Sequence, residues 1–339
     1  METTVRVPRG ASIKQSAVYP LWSGAFWGAF GITMRPYLFF ISGVAAVVGM
    51  CFIDKPEPIR LWLGFLPLFL SCGLGQALTD CTQTDTDAIS SPYRPLVQGV
   101  ITPRQVFGVS LTGLTLCTLV LALLNPEIIL LGAFAVSGLI TYTWFKRRWW
   151  GGPFWNSWIV ALLPILGRLV DPAYKPAITA PPWNVSSMAF VLAIGAIFFG
   201  YMNFVVAGYL KDISADRATG YNTFAVKFGW VPTAIYSDLT AILAATCTAG
   251  VMILVDSWTI SGLIAFSGAI TLSLRAQWTI HMIRDEALAH GPIAHVVRVY
   301  LLLALAIILT LQPTWVILAA IFYLGFEVVL RIRPERTQV

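Results

Sequence analysis

The stretch that decides the fold is LWLGFLPLFLSCGLGQALTDCTQTDTDAISSPYRP, residues 61–95. Its first part, 61–82, is long and apolar enough to cross the ~30 Å hydrocarbon core of a bilayer as a helix. Three aspartates, Asp80, Asp85 and Asp87, lie at or just beyond the end of this segment. Carboxylates at a membrane face are costly unless they are paired, so these residues indicate a functional site.

Similar apolar segments recur along the chain. Of its 339 residues, 57% are hydrophobic and only 11% are charged, whereas soluble domains carry about 25% charged residues. We therefore predict an all-α, multi-pass integral membrane protein in which residues 1–339 form one domain, with 1–32 as a cytoplasmic or interfacial N-terminal segment. The nine or ten predicted crossings lie near 33–53, 61–82, 105–125, 127–145, 154–170, 186–210, 231–255, 258–282, 297–312 and 314–331.

The distribution of Lys and Arg predicts the orientation. With ten alternating crossings, 18 of these residues fall on the N-terminal side and 4 on the opposite side. Because positive charge is retained in cytoplasmic loops, we predict that the N-terminal side faces the cytoplasm. The same bias accounts for the net charge of +6, so no nucleic-acid partner is expected.

The first acidic cluster has a helical pattern. Placing 68–87 on one continuous helix brings Gln76, Asp80, Gln83 and Asp87 onto one face, at about 100° per residue. Asp85 points the opposite way. We therefore expect two carboxylates and two amides to face the site together.

The second acidic cluster lies in YLKDISADRATGYNTFAVKFG, residues 209–229. Asp212 and Asp216 are four residues apart, so one helical face is expected to carry both. Both clusters end even-numbered crossings and are predicted to open on the cytoplasmic side. The alternative, that these aspartates are solvated loop residues capping helices, fits one cluster better than it fits two.

Carboxylate-rich sites with oxygen ligands suit Mg²⁺, which binds through a few carboxylates together with phosphate oxygens of a substrate. Two facing pairs of aspartates therefore predict a site for a magnesium-bound diphosphate, in which the metal would neutralise the leaving group. Nearby cations are expected to bind the remaining phosphate oxygens, although each alone also fits the positive-inside bias. They include Arg94, Lys146, Lys211 and Arg217.

Several motifs resemble the UbiA superfamily of intramembrane prenyltransferases. DAISSPYRPLVQG, residues 87–99, is similar to the first motif in the form seen in chlorophyll synthases, and KDISADRATGYNTFAVKFG, residues 211–229, is similar to the second. YTWFKRRWWGGPFWN, residues 142–156, resembles the loop that follows the fourth crossing, and Arg35-Pro36 also matches. The usual first motif is NxxxDxxxD, whereas this chain has Thr79, Gln83 and Asp87 at those positions.

The resemblance implies a helical bundle around a central cavity that opens sideways to lipid. It implies Mg²⁺-dependent transfer of a polyprenyl group from an isoprenoid diphosphate to an aromatic or other lipophilic acceptor, with Asp80 and Asp87 at a first metal site and Asp212 and Asp216 at a second. The expected substrate-binding residues are Gln76, Gln83, Arg94, Tyr142, Lys146, Tyr201, Tyr209, Lys211 and Arg217.

Three alternatives remain open at the level of sequence. The tyrosines either flank an allylic cation through π-interactions or belong to ordinary interfacial belts. The acidic motifs serve intramembrane terpene cyclisation equally well. An ion-coupled transporter is a third reading, although transporters place their acids near mid-membrane.

Overall fold

The computed structural model describes residues 17–54, 57–173, 185–335 and 338. The described part is built from α-helices and short 3₁₀ turns. The first 16 residues of the predicted N-terminal segment 1–32 lie outside it, as do Lys55 and Lys175 of the charge count. The helices are α1 Gly24–Met34, α2 Tyr37–Met50, α3 Pro58–Asp80, α4 Thr84–Ser90, α5 Pro103–Leu124, α6 Ile128–Lys146, α7 Gly152–Arg168, α8 Val185–Gly208, α9 Ile213–Ala218, α10 Phe224–Phe228, α11 Trp230–Val255, α12 Ile260–Ile283, α13 His290–Leu311 and α14 Val316–Arg331.

Each of the ten predicted apolar segments coincides with a long helix, which confirms the all-helical membrane fold. Among the described helices, seven are long and apolar enough to cross a membrane, and the number is eight when the bent pair α1–α2 counts as one span. The predicted number of nine or ten crossings is therefore not confirmed. The difference arises because α2 and α7 are shorter than a full span, and α12 is less apolar.

Close backbone packing holds the centre of the bundle together. The helices α2 and α7 cross at Gly49 and Gly167, where an added Cβ would overlap the carbonyl oxygens of Pro164 and Ala46. Such approaches through small residues are typical of helices in membranes, where dispersion contacts replace the hydrophobic driving force. The crossing fixes α7 beside α2 and so sets one wall of the interior.

At the end of the bundle that carries the acidic clusters, the helices break twice, between α1 and α2 and between α3 and α4. Arg35 ends α1 with a left-handed backbone (φ 51°), and α1 and α2 meet at an angle of 59°. This turn directs the Arg35 side chain toward the end of α3, where it reaches Asp80. A left-handed conformation is uncommon for a residue other than glycine, so the bend deserves a functional explanation.

The predicted continuous helix over 68–87 is wrong, because α3 ends at Asp80 and α4 begins only at Thr84. The reason lies in the threonines. The Thr79 hydroxyl donates to the Gln76 carbonyl at 3.0 Å and the Thr82 hydroxyl donates to the Thr79 carbonyl at 2.9 Å. Side-chain hydroxyls that bond to nearby carbonyls compete with the helical ladder, and the backbone tightens into a turn over 81–83.

Candidate active site

A polar cavity of about 100 Å³ lies where the ends of α3, α6 and α8 meet α4, α7 and the 209–212 turn. It gathers eleven of the thirteen predicted site residues, and Asp216 and Arg217 are the two that do not line it. The predicted residues in its wall are Gln76, Asp80, Gln83, Asp87, Arg94, Tyr142, Lys146, Tyr201, Tyr209, Lys211 and Asp212. Both acidic clusters therefore contribute to one cavity, the first through Asp80 and Asp87 and the second through Asp212.

The first acidic cluster is held by arginines. Arg35 donates from Nη2 to both oxygens of Asp80, at 3.1 and 2.8 Å, and Gln76 Nε2 donates to Asp80 Oδ1 at 2.6 Å. Arg94 forms an ion pair with Asp87 and lies 3.7 Å from Asp80 Oδ2. Burial lowers the pKa of Arg94, but Asp80 and Asp87 more than offset this and raise its pKa overall. The Arg94 guanidinium thus remains charged beside the cavity.

The second acidic cluster differs from the sequence expectation. Asp212 is the N-cap residue of α9 and Asp216 lies one turn into that helix, where its backbone N–H donates to the Asp212 carbonyl at 2.8 Å. Asp212 lines the cavity, whereas Asp216 does not line it and is fully buried. The two do not continue a face of α8, because α8 changes into a 3₁₀ turn over Tyr209–Lys211 before α9 begins.

Lys146 connects the two clusters. Its ammonium group donates to Gln83 Oε1 at 2.9 Å and lies 3.7 Å from Asp216 Oδ1. Burial raises the pKa of Asp216 to about 6, while Lys146 lowers it and Asp212 raises it. Gln83 occupies the position that carries a carboxylate in the usual first motif. Its amide oxygen accepts a hydrogen bond from Lys146 instead.

Further hydrogen bonds and an ion pair connect the segments around the site. The hydroxyls of Thr86 in α4 and Thr219 after α9 lie 2.9 Å apart. Asp85 lies outside the cavity, where it accepts a hydrogen bond from the Tyr221 hydroxyl at 3.2 Å and pairs with Arg147 at 3.4 Å. The expectation that Asp85 points away from the site agrees with this placement, although the continuous helix behind it was wrong.

Two polar residues of the cavity, Arg35 and Asn156, are not among the predicted site residues, yet both line it. Each belongs to a stretch that resembles the family, Arg35-Pro36 and 142–156, without a predicted role of its own. The Arg-Pro pair was the available signal for Arg35. Asn156 is followed by Ser157 in an otherwise largely apolar helix, and no spacing to another polar residue marks it as part of the site. Arg217 is exposed.

The donor set fits a hard divalent cation bound together with a diphosphate. Asp80, Asp87 and Asp212 supply carboxylate oxygens to the cavity. Asp216 is buried behind its wall, where neither oxygen makes a hydrogen bond to a described residue and Lys146 lies 3.7 Å from Oδ1, so this carboxylate keeps acceptor capacity that a cation would satisfy. Within the described ranges, no three acidic, His or Cys side chains converge closely enough to hold a metal ion.

An apolar cavity of about 90 Å³ lies next to the polar one, between α3, α5, α6, α7 and α8. The two cavities share Gln76, Asn156 and Tyr201 in their walls. Leu114, Gly132, Ala135 and Leu163 are among the residues that line the apolar space. A charged chamber therefore adjoins a space suited to hydrocarbon.

Residues 37–291 match the UbiA prenyltransferase family. The chain belongs to this family. It is an integral membrane protein and a prenyltransferase by that membership. The match contains both acidic clusters and every helix that lines the two cavities.

Several known proteins are similar to this chain in sequence. The digeranylgeranylglyceryl phosphate synthase of Korarchaeum cryptofilum is 29% identical over 253 residues, which cover 73% of this chain and 83% of the relative. The enzyme of the same name from Pyrococcus abyssi is 26% identical over 63% of this chain and 74% of its own length. The protoheme IX farnesyltransferase of Geobacter sulfurreducens is 30% identical, but over only 34% of this chain and 44% of its own length.

Solved structures share the fold. A UbiA homologue from Aeropyrum pernix K1 superposes with a TM-score of 0.67 at 18% identity, over 80% of this chain and 97% of its own. A homologue from Archaeoglobus fulgidus bound to DMAPP and Mg²⁺ superposes with a TM-score of 0.59 at 16% identity, over 82% and 98% of the two chains. These likenesses confirm the predicted bundle.

Proposed function

We propose that the protein transfers an isoprenoid group from an isoprenoid diphosphate to a lipophilic acceptor in the membrane, with Mg²⁺. The observation that carries the proposal is one cavity that brings Asp80, Asp87 and Asp212 together with four cations and adjoins an apolar space. The cations in its wall are Arg35, Arg94, Lys146 and Lys211. The named relatives are transferases, which favours transfer over cyclisation or ion transport.

Each part of the site has a role in this reaction. Asp80 and Asp87 would hold one Mg²⁺ and Asp212 and Asp216 another, and the metal supplies neutralisation of the diphosphate as the leaving group. Arg94, Lys146 and Lys211 would bind the remaining phosphate oxygens. Cationic groups placed in a site of low dielectric stabilise charge that develops as a bond breaks.

The apolar cavity would receive the isoprenoid chain. The allylic C–O bond breaks, the acceptor's electron-rich carbon or hydroxyl oxygen forms the new bond to that carbon, and its proton passes to a carboxylate or to the released diphosphate. Tyr201 lies in the walls of both cavities. Its ring would flank the allylic carbon at the junction of the two cavities and would stabilise positive charge through its π-face.

The acceptor is the finer part of the proposal. We propose a lipophilic acceptor that carries an aromatic ring or a hydroxyl group, since both offer the electrons that the reaction needs. We also propose that the polar cavity faces the cytoplasm, because the Lys and Arg bias places the positive loops on its side. Residues 1–339 would form one domain, since α13 and α14 complete the bundle.

A direct assay tests this function. The purified protein in lipid nanodiscs is given geranyl or geranylgeranyl diphosphate with Mg²⁺, with a panel of phenolic acceptors and glycerol-ether acceptors, and the lipids are identified by mass spectrometry. Transfer predicts a prenylated acceptor and pyrophosphate in equal amounts, both lost with EDTA. A cyclic hydrocarbon formed in the absence of any acceptor would instead establish cyclisation.

A further inference from the structure

The segment between α12 and α13 reaches the second acidic cluster through a carboxylate that sequence reasoning did not single out. Glu286 accepts two hydrogen bonds from Ser214, from its backbone N–H to Oε2 at 2.9 Å and from its hydroxyl to Oε1 at 2.7 Å. Ser214 lies between Asp212 and Asp216 in the first turn of α9. Both oxygens of Glu286 are therefore committed to the helix that carries the second acidic cluster.

The contact replaces a bond that Asp212 is expected to make. Aspartate at an N-cap position normally accepts a hydrogen bond from the backbone N–H two or three residues later. Asp212 is the N-cap residue of α9, but its side chain makes no capping hydrogen bond. Glu286 takes the N–H of Ser214 instead, and the side chain of Asp212 lines the polar cavity.

The backbone before Glu286 turns sharply and places this carboxylate beside α9. Arg284 ends α12 in the left-handed region (φ 47°), which turns the chain sharply after the helix. Asp285 then accepts a hydrogen bond from the Ala287 N–H at 2.9 Å and so caps the 3₁₀ turn Glu286–Leu288. The turn holds Glu286 beside α9 although the two lie 72 residues apart in sequence.

We propose that Glu286 is a positioning residue that caps α9 in place of Asp212 and so leaves the Asp212 carboxylate available for the cation–diphosphate substrate. This inference rests on the proposed function. Without Glu286, the Ser214 N–H would compete for the Asp212 carboxylate, and the cavity would lose part of one oxygen ligand. Glu286 itself does not line the polar cavity.

The test measures cation binding in the full-length protein in nanodiscs, with Mn²⁺ and inorganic pyrophosphate as the probe and electron paramagnetic resonance as the readout. For Glu286→Ala we expect Mn²⁺ affinity in the presence of pyrophosphate to fall about tenfold, which is about 1.4 kcal/mol. Ser214→Ala keeps the backbone N–H and should lose no more than about threefold. Glu335→Gln removes an exposed carboxylate after α14, at the same end of the bundle, and should bind as the wild type does.

A double variant separates positioning from general damage. If Glu286 acts through Asp212, then Glu286→Ala adds no further loss in an Asp212→Asn background. Additive losses, or a Glu286→Ala variant that binds Mn²⁺ as well as the wild type, would overturn the inference while the proposed function stands. Failure of the wild type to bind Mn²⁺ with pyrophosphate would overturn the proposed function, and the inference with it.

Discussion

Replacing Lys146 by Met should shift the pH range over which the site binds its metal. The lysine ammonium lies 3.7 Å from Asp216 Oδ1, and Asp216 is fully buried with a pKa raised to about 6. Two unit charges at that separation interact by about 4 kcal/mol at an effective dielectric constant of ~20. Each pKa unit corresponds to about 1.4 kcal/mol, so about 3 units is the upper bound on the change. Water that enters the space left by the ammonium group reduces it to about 1–3 units.

The sign of the effect follows from which form binds the metal. A cation needs the ionised carboxylate, so binding is lost as the pH falls through the pKa of Asp216. In the wild type this loss should occur near pH 6, because that is where the pKa of Asp216 lies. In Lys146→Met it should occur at higher pH, with weak binding near neutrality that recovers at alkaline pH.

The assay is Mn²⁺ binding between pH 5.5 and 8.5 in the presence of a non-reactive allylic thiolodiphosphate. Lys146→Arg retains the charge and should keep the wild-type profile. Lys227→Met is the matched control, since Lys227 is exposed on the neighbouring α10 and its ammonium lies over Trp149, 4.2 Å from the ring centroid. An equal loss of binding at every pH in Lys146→Met would show that the lysine acts on phosphate oxygens directly, and would refute the reasoning about Asp216.

Three further predictions follow from the geometry. Replacing Asp80, Asp87, Asp212 or Asp216 by asparagine should lower turnover, measured by pyrophosphate release, by about 100-fold or more. Asp85→Asn should stay within a few-fold of the wild type, because Asp85 lies outside the cavity and contacts Arg147 and Tyr221. An equal loss for Asp85→Asn would contradict this placement. Gly167→Ala should lower the stability in detergent by about 1–3 kcal/mol, because the added methyl overlaps the Ala46 carbonyl, while Gly28→Ala, which meets nothing within 4 Å, should unfold at the wild-type temperature. Ala135→Phe fills part of the apolar cavity of about 90 Å³ and should reduce kcat/KM for geranylgeranyl diphosphate more than for dimethylallyl diphosphate. An equal reduction of kcat/KM for both substrates would show that the isoprenoid chain binds elsewhere.

Much of the fold could be predicted because hydropathy acts locally. Every apolar segment long enough to span a bilayer became a helix, since backbone polar groups in lipid must be satisfied within the segment. The number of crossings could not be predicted in the same way. Whether a short helix such as α2 completes a span depends on its bend against α1, and the left-handed residue Arg35 sets that bend.

The residues that line the cavity could be predicted only in part from local helical periodicity. Helical periodicity placed Gln76, Asp80, Gln83 and Asp87 together, and the cavity does contain all four. The helix that justified this grouping does not exist, because the threonines end it at Asp80. The grouping survives because the 81–83 turn is short and α4 continues beside the same space.

Contacts between distant segments decide what periodicity cannot. Lys146 reaches Gln83 across 63 residues, and Glu286 reaches Ser214 across 72. Neither pair has a spacing that sequence alone would mark. Both pairs involve the second acidic cluster, through Asp216 and through the helix that Asp212 begins. Lys146 opposes the effect of burial on Asp216, and Glu286 supplies the cap that would otherwise occupy Asp212. The acidic residues can therefore be recognised from a motif, but the groups that keep them available for a cation come from elsewhere in the fold.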